Sequence, residues 1–166
     1  MARFSLLLLL CLLAGLIACA PGSEDPGPDP EQLEAVLKKY SGDRSEVLLA
    51  IGNARGTELG RSAKLDRAAA RHALDLAGHR TSTHMGQDGS GPAQRIREAG
   101  DRMRDVHEFI FRIEGDRDDL GAIAAQTWLA PHEQNAVLTE PCTHAAVAFA
   151  PLDEGGYVGV LLLAQR

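Results

Sequence analysis

The chain has 166 residues, 23 of them acidic and 17 basic, for a net charge of −6 at pH 7. That balance argues against a nucleic-acid or anionic-surface binder, and with one Trp, two Tyr and four Phe the chain lacks the aromatic platforms that stack single-stranded bases. The core must be built mostly from Leu, Ala, Val and Ile.

Residues 1–18 carry a single charge, Arg3, ahead of an apolar stretch, the layout of a secretory signal peptide. The apolar run that starts at Leu6 ends at Ala20, and Pro21 follows. A spanning helix needs about 20 apolar residues, so a permanent transmembrane anchor is disfavoured. Leu16-Ile17-Ala18-Cys19 resembles a bacterial lipobox, which implies cleavage before Cys19 and lipidation of its thiol. The resulting expectation is a cell-envelope lipoprotein, at the outer membrane if the common sorting rule applies, with the membrane as its first partner. An ordinary signal peptide with an incidental Cys is the other reading. Residues 19–30 then form a tether rich in Pro and acidic side chains, which stays extended and solvated. Residues 31–166 form one domain. Only Cys142 would remain as a thiol in the mature protein, so no internal disulfide can form; after Pro141 and before an apolar run, it reads as a small buried hydrophobe.

In chain order, Leu33, Val36, Leu37 and Tyr40 recur at helical spacing after Pro30-Glu31, and a second helical stretch runs from Ser45 to Arg55, ended by Gly56. From Ser62, the positions Leu65, Ala69, His72 and Leu76 form one apolar face that stops around Gly78. Residues 82–91 lack periodicity and read as an irregular loop. Pro92 opens a short helix closed by Gly100. Val106 to Ile113 reads as a strand. From Asp118 the helical period returns through Trp128, with Asp116 or Asp118 available as cap. Ala145 to Ala150 and Tyr157 to Ala164, joined by residues 151–156, read as a hairpin of largely buried strands. Helices and strands that do not alternate regularly predict an α+β domain.

All six histidines lie between positions 72 and 144. His72, on an apolar helical stripe, reads as a hydrogen-bonded core residue, and His79 as a cation at a helix C-terminus. His107-Glu108 and His132-Glu133 fall outside the predicted helices. Neither completes the helical H-E-x-x-H zinc signature, since Phe111 and Ala136 stand where the second His is required. Ser90 lacks the preceding Gly of a hydrolase elbow, because position 88 is Asp. Ser90 reads as a turn residue, and Asp88 as the acceptor that organises its loop.

The order Asn53-Ala54-Arg55, Leu65 with Ala69, His72-Ala73-Leu74-Asp75-Leu76, and His84-Met85-Gly86-Gln87-Asp88-Gly89-Ser90, continued by Pro92, Arg95, Ala99-Gly100, Glu108, Trp128, His132 and Asn135, resembles the bacterial CAP superfamily, the SCP/PR-1-like group. The resemblance spans about residues 43–164. It implies a three-layer α-β-α sandwich with a central antiparallel sheet and an open cavity lined by His and Glu. It maps His84, Glu108 and His132 onto the cavity residues and offers His144 as a fourth. In this family that cavity holds a divalent metal in some members, so His84, Glu108 and His132 would be the ligands of a zinc or similar ion, with a hydrogen-bonded His-Glu-His cluster as the metal-free alternative. Around them His107 and Phe109 replace the Gly and Asn of the family's G-E-N-I, and Pro131 and Glu133 replace the residues flanking its second His. Three functions follow as expectations. One is a membrane-anchored module that binds a small molecule, lipid or protein; the second is a metal-dependent hydrolase of peptide or cell-wall material, with Glu108 as ligand or general base; the third is a purely structural envelope lipoprotein with a vestigial cavity.

Overall fold

The computed structural model describes residues 27–166, so the expected signal peptide, Cys19 and most of the tether lie outside the described residues. From Pro30 onward the order is α1 (Pro30–Lys39), α2 (Ser41–Arg55), α3 (Ala63–His79), α4 (Pro92–Glu98), β1 (Arg104–Glu114), α5 (Leu120–Trp128), α6 (Pro131–Thr139), β2 (His144–Pro151) and β3 (Gly156–Gln165). The fold is α+β, with one antiparallel sheet in the order β1-β3-β2.

Local chemistry sets most boundaries. Asp29 caps α1 by accepting from the Gln32 N–H at 2.8 Å while the Gln32 side chain accepts from the Asp29 N–H, a reciprocal box that also places Pro30 at the first helical position. Helix α2 starts at Ser41, four residues ahead of the apolar spacing, because Tyr40 serves as both the end of α1 and the cap of α2. Gly56 closes α2 at φ +67°, a left-handed turn that glycine adopts without strain. At the β2–β3 turn Gly156 has φ +106° and lies so close to the Ile113 carbonyl that no side chain would fit.

Strands β2 and β3 bury both faces, and the period of two sorts their side chains. Ala146, Ala148, Val160 and Leu162 pack with Leu65, Ala69, Ala73 and Leu76 of α3 and Ile96 of α4. Val147, Phe149, Leu161 and Leu163 pack instead with Val47 and Ile51 of α2, Leu120 and Trp128 of α5, and Val137 of α6. Trp128 is the centre of this second core, stacked on Phe149 at 6.4 Å and edge-on to Phe111 at 5.9 Å. Strand β2 is an edge, and its free backbone is covered: Gly60 exchanges hydrogen bonds with Thr143 and Ala145, and Arg44 Nε donates to the Val147 carbonyl at 2.6 Å. Such cover removes a template for pairing with another chain.

Strand β1 is what positions the site. Val106 and Ile110 pack into the α3-α4 core, while Phe109, Phe111 and Ile113 pack into the Trp128 core. Glu108, between Val106 and Ile110, therefore projects toward α3 and α4, and His107 projects to the other side, where its Nε2 lies 3.4 Å from Glu140.

Candidate functional site

Glu108 is the centre of a buried polar cluster. Its side chain is 1% exposed, and Oε2 accepts from Arg95 Nη2 at 2.6 Å. Oε1 lies 3.0 Å from His84 Nδ1 and 3.4 Å from His72 Nε2. An ionic pair taken out of water is tolerated only when its remaining hydrogen-bonding capacity is filled, and here both carboxylate oxygens are engaged. Arg95 comes from α4 with its side chain 2% exposed. Its Nη1 donates to the Ser90 carbonyl at 2.5 Å and to the His84 carbonyl at 3.2 Å. One guanidinium thus fixes both the carboxylate and the loop that carries His84.

That loop is stitched from several sides. Asp88 Oδ1 accepts from the Ser90 N–H at 2.8 Å, Gly86 N–H donates to the Ser90 carbonyl, and Asp75 Oδ2 of α3 accepts from the Gln87 N–H at 3.1 Å. Asp88 Oδ2 also pairs with Arg71 at 2.5 Å, and Arg71 reaches Glu98 of α4 at 2.6 Å. The expected role of Asp88 as loop organiser is what the geometry shows. His84 itself is 60% exposed in its side chain, so a ring held by Glu108 presents its other nitrogen outward.

His72 is fully buried, as its apolar stripe predicts, and its Nε2 lies 2.9 Å from the Thr83 carbonyl. A carbonyl can only accept, so the proton sits on Nε2. Burial pushes the His72 pKa below its ordinary 6.5, with Arg95 adding to this, while Glu108, the Thr83 carbonyl and Asp75 act in the opposite sense. The neutral ring leaves Nδ1 bare, 3.8 Å from Asp75 Oδ2 and without a hydrogen-bond partner.

His84 and Glu108 come together, but His132 and His144 do not join them. His132 occupies the exposed first turn of α6, a helix whose Val137 belongs to the Trp128 core, across the sheet from Glu108. His144 begins β2, two strands from β1, where Thr143 Oγ1 holds its Nδ1 at 2.9 Å and its ring lies over Gly60. Among the described residues no group of three His, Cys, Asp or Glu side chains is arranged to hold a metal. The expected zinc ligand set of His84, Glu108 and His132 is therefore not assembled. The donor chemistry agrees: with a guanidinium 2.6 Å from Glu108 Oε2, a metal ion at the carboxylate would face a neighbouring positive charge. The residues present do not fit the metal.

Arg95 is the site residue that the patterning of the chain left in the background. Its phase held the signal, because it lies one residue from Ile96 and four from Ala99, on the side of α4 that turns inward. Charge alone, however, predicts exposure.

No protein-family model and no curated protein sequence matches the chain. Among solved structures it is similar to an outer surface protein from Borrelia burgdorferi, with TM-score 0.59 and 20% identity over 84% of this chain and 97% of that one. It is also similar to an extracellular protein containing an SCP domain from Bacillus anthracis, with TM-score 0.63 and 16% identity over 84% of this chain and 45% of that one. Identities this low carry the architecture and nothing finer, and on that architecture the chain has the fold of a bacterial CAP/SCP-like domain.

Proposed function

We propose that the chain is an extracytoplasmic binding module, anchored to a membrane through a lipid on Cys19, that presents a CAP-like three-layer α-β-α domain and works without a metal at His84 and Glu108. The two cores on alternating sides of β2 and β3 support the layered description. The lipobox-like Leu16-Ile17-Ala18-Cys19 supports the anchor, and among the described residues no helix is long and apolar enough to cross a membrane. An envelope location agrees with the two structural neighbours, one an outer surface protein and the other an extracellular protein.

The observation that carries the reading is the Arg95–Glu108 pair. The hydrolase alternative needs Glu108 as a metal ligand or as a base toward a metal-bound water. Here one oxygen is neutralised by Arg95 and the other holds His84. A carboxylate in that setting orients an imidazole and stabilises a loop. Zinc tests this directly. A site with a dissociation constant a hundredfold below the zinc concentration would add about 2.7 kcal/mol to stability, a rise of several degrees in melting temperature. We expect no such rise at pH 7.5. A rise that disappears in both His84→Ala and Glu108→Gln would overturn the metal-free reading and favour the hydrolase.

A further inference from the structure

The sheet has two edges, and the fold treats them differently. On β2 the free backbone is covered by Gly60 and Arg44. On β1, among the described residues, the backbone exchanges hydrogen bonds with the backbone of β3 and of no other segment. Its two faces are filled, by Val106 and Ile110 against one core and by Phe109, Phe111 and Ile113 against the other. Only the edge is left open. Val106 to Ile110 and Ile113 remain half-buried there, whereas β2 is buried from Ala145 to Ala150.

Natural proteins blunt such edges with bulges and charges, and on β1 those devices lie mostly at the ends. A bulge breaks the register between Arg104 and His107, where Asp105 takes φ +45°. From His107 to Ile113 the pairing with β3 is regular, so alternate N–H and C=O groups of that stretch point outward. Of its two charged residues outside the histidine, Glu108 is neutralised on the inside by Arg95, which leaves Arg112.

The charges around the edge select the strand that fits it. Exposed side chains at the start of β1 are Arg102 and Arg104 against Asp105, a net +1, since Asp101 is paired with Arg166. At its end Arg112 and Arg117 stand against Glu114, Asp116, Asp118 and Asp119, a net −2. A second β1 running antiparallel brings the basic start of each copy to the acidic end of the other, twice, about one two-fold axis. Running parallel, it would set like charge against like. An extended segment of another protein would find the same hydrogen bonds without that match.

We propose that β1 pairs antiparallel with β1 of a second copy of this chain, joining two three-stranded sheets into one. The mode is strand addition, in which main-chain bonds give affinity and side chains give specificity. Copies anchored in one membrane meet at raised local concentration. The pairing goes beyond the binding-module reading, and neither zinc nor a ligand enters its test.

That test measures self-association of the full-length chain in a neutrally buoyant nonionic detergent by sedimentation velocity, with amide hydrogen exchange followed over each strand. The chain should reach a dimer as its concentration rises, and the same rise should slow exchange within residues 107–113 but not within 144–151. Arg104→Glu and Glu114→Lys, both at exposed positions, should each weaken the dimer about three- to tenfold, because each reverses a charge at two symmetry-related places. Combined, they should restore the affinity of the unaltered chain, which neither a loss of folding nor association through the apolar N-terminal stretch would do. A chain that stays monomeric, exchange that does not slow on β1, single variants that associate as well as the unaltered chain, or a double variant no better than the single ones would overturn the proposal.

Discussion

His72 shows how a single side chain ties the core to the site. An imidazole on an apolar helical face is legible from the sequence as buried, and it is buried; that it lies beside Glu108 depends on where β1 runs, which the helix cannot encode. Its burial has a measurable consequence. The folded-state pKa lies below the unfolded value near 6.5, so as pH falls through 6.5 the unfolded chain takes up a proton that the folded chain resists. Stability is thus lost from about pH 6.5 downward toward the folded pKa, with a slope of at most about 1.4 kcal/mol per pH unit for one proton. His72→Gln should flatten that part of a stability-versus-pH curve measured by urea unfolding. An unchanged slope would mean that His72 charges freely in the folded state. The same limit explains His132: the short stretch that carries it fits a family pattern, but sequence order does not say on which side of the sheet a segment lands.

At the scale of elements, strong apolar periodicity was enough for α1, α3 and the β2–β3 hairpin, whose observed ends fall within a residue or two of the spacing. Helix α6 escaped because its nine residues bury only Val137 and its cap, Ala130, has no side-chain bond to offer; a helix so short and so evenly polar leaves no stripe to read. The start of α5 is the other departure. Neither Asp116 nor Asp118 caps it. Asp119 holds the cap position without a side-chain bond, and Asp43 of α2 accepts from the Gly121 N–H at 3.0 Å. A cap supplied by a distant helix requires close approach, and a Cβ on Gly121 would lie 2.6 Å from Glu46 Oε2 and 2.8 Å from the Asp43 backbone. Gly121→Ala should cost about 1–3 kcal/mol by overpacking, and Asp43→Ala about 1 kcal/mol by loss of the cap. The double variant should cost less than the sum of the two single costs, because both act on one contact. Denaturant unfolding of the three variants checks this, and strict additivity would show that Gly121 and Asp43 act separately.

For the whole molecule the question is what joins the two cores. The sheet is shared, but one side chain also crosses between the helices on its two sides. Arg44 of α2, buried at 5% exposure, donates to the Leu37 carbonyl at the end of α1 and to Val147 on the β2 edge, and its Nη2 lies 2.6 Å from Asp66 of α3. Four elements meet at one guanidinium. Replacing it with an apolar chain of similar length leaves Asp66 largely buried, with only Arg61 at 3.6 Å as a partial substitute. Breaking a buried pair from one side costs about 3–5 kcal/mol, and Arg61 should place the loss near the lower end. Arg44→Met should therefore lower the urea midpoint strongly, and adding Asp66→Asn should restore part of the loss by removing the stranded charge. If the second change restores nothing, the cost lies in the uncovered Val147 edge and the Leu37 carbonyl rather than in the ion pair, and the join between the two cores is made by the hydrogen bonds from the Arg44 side chain to these two carbonyls.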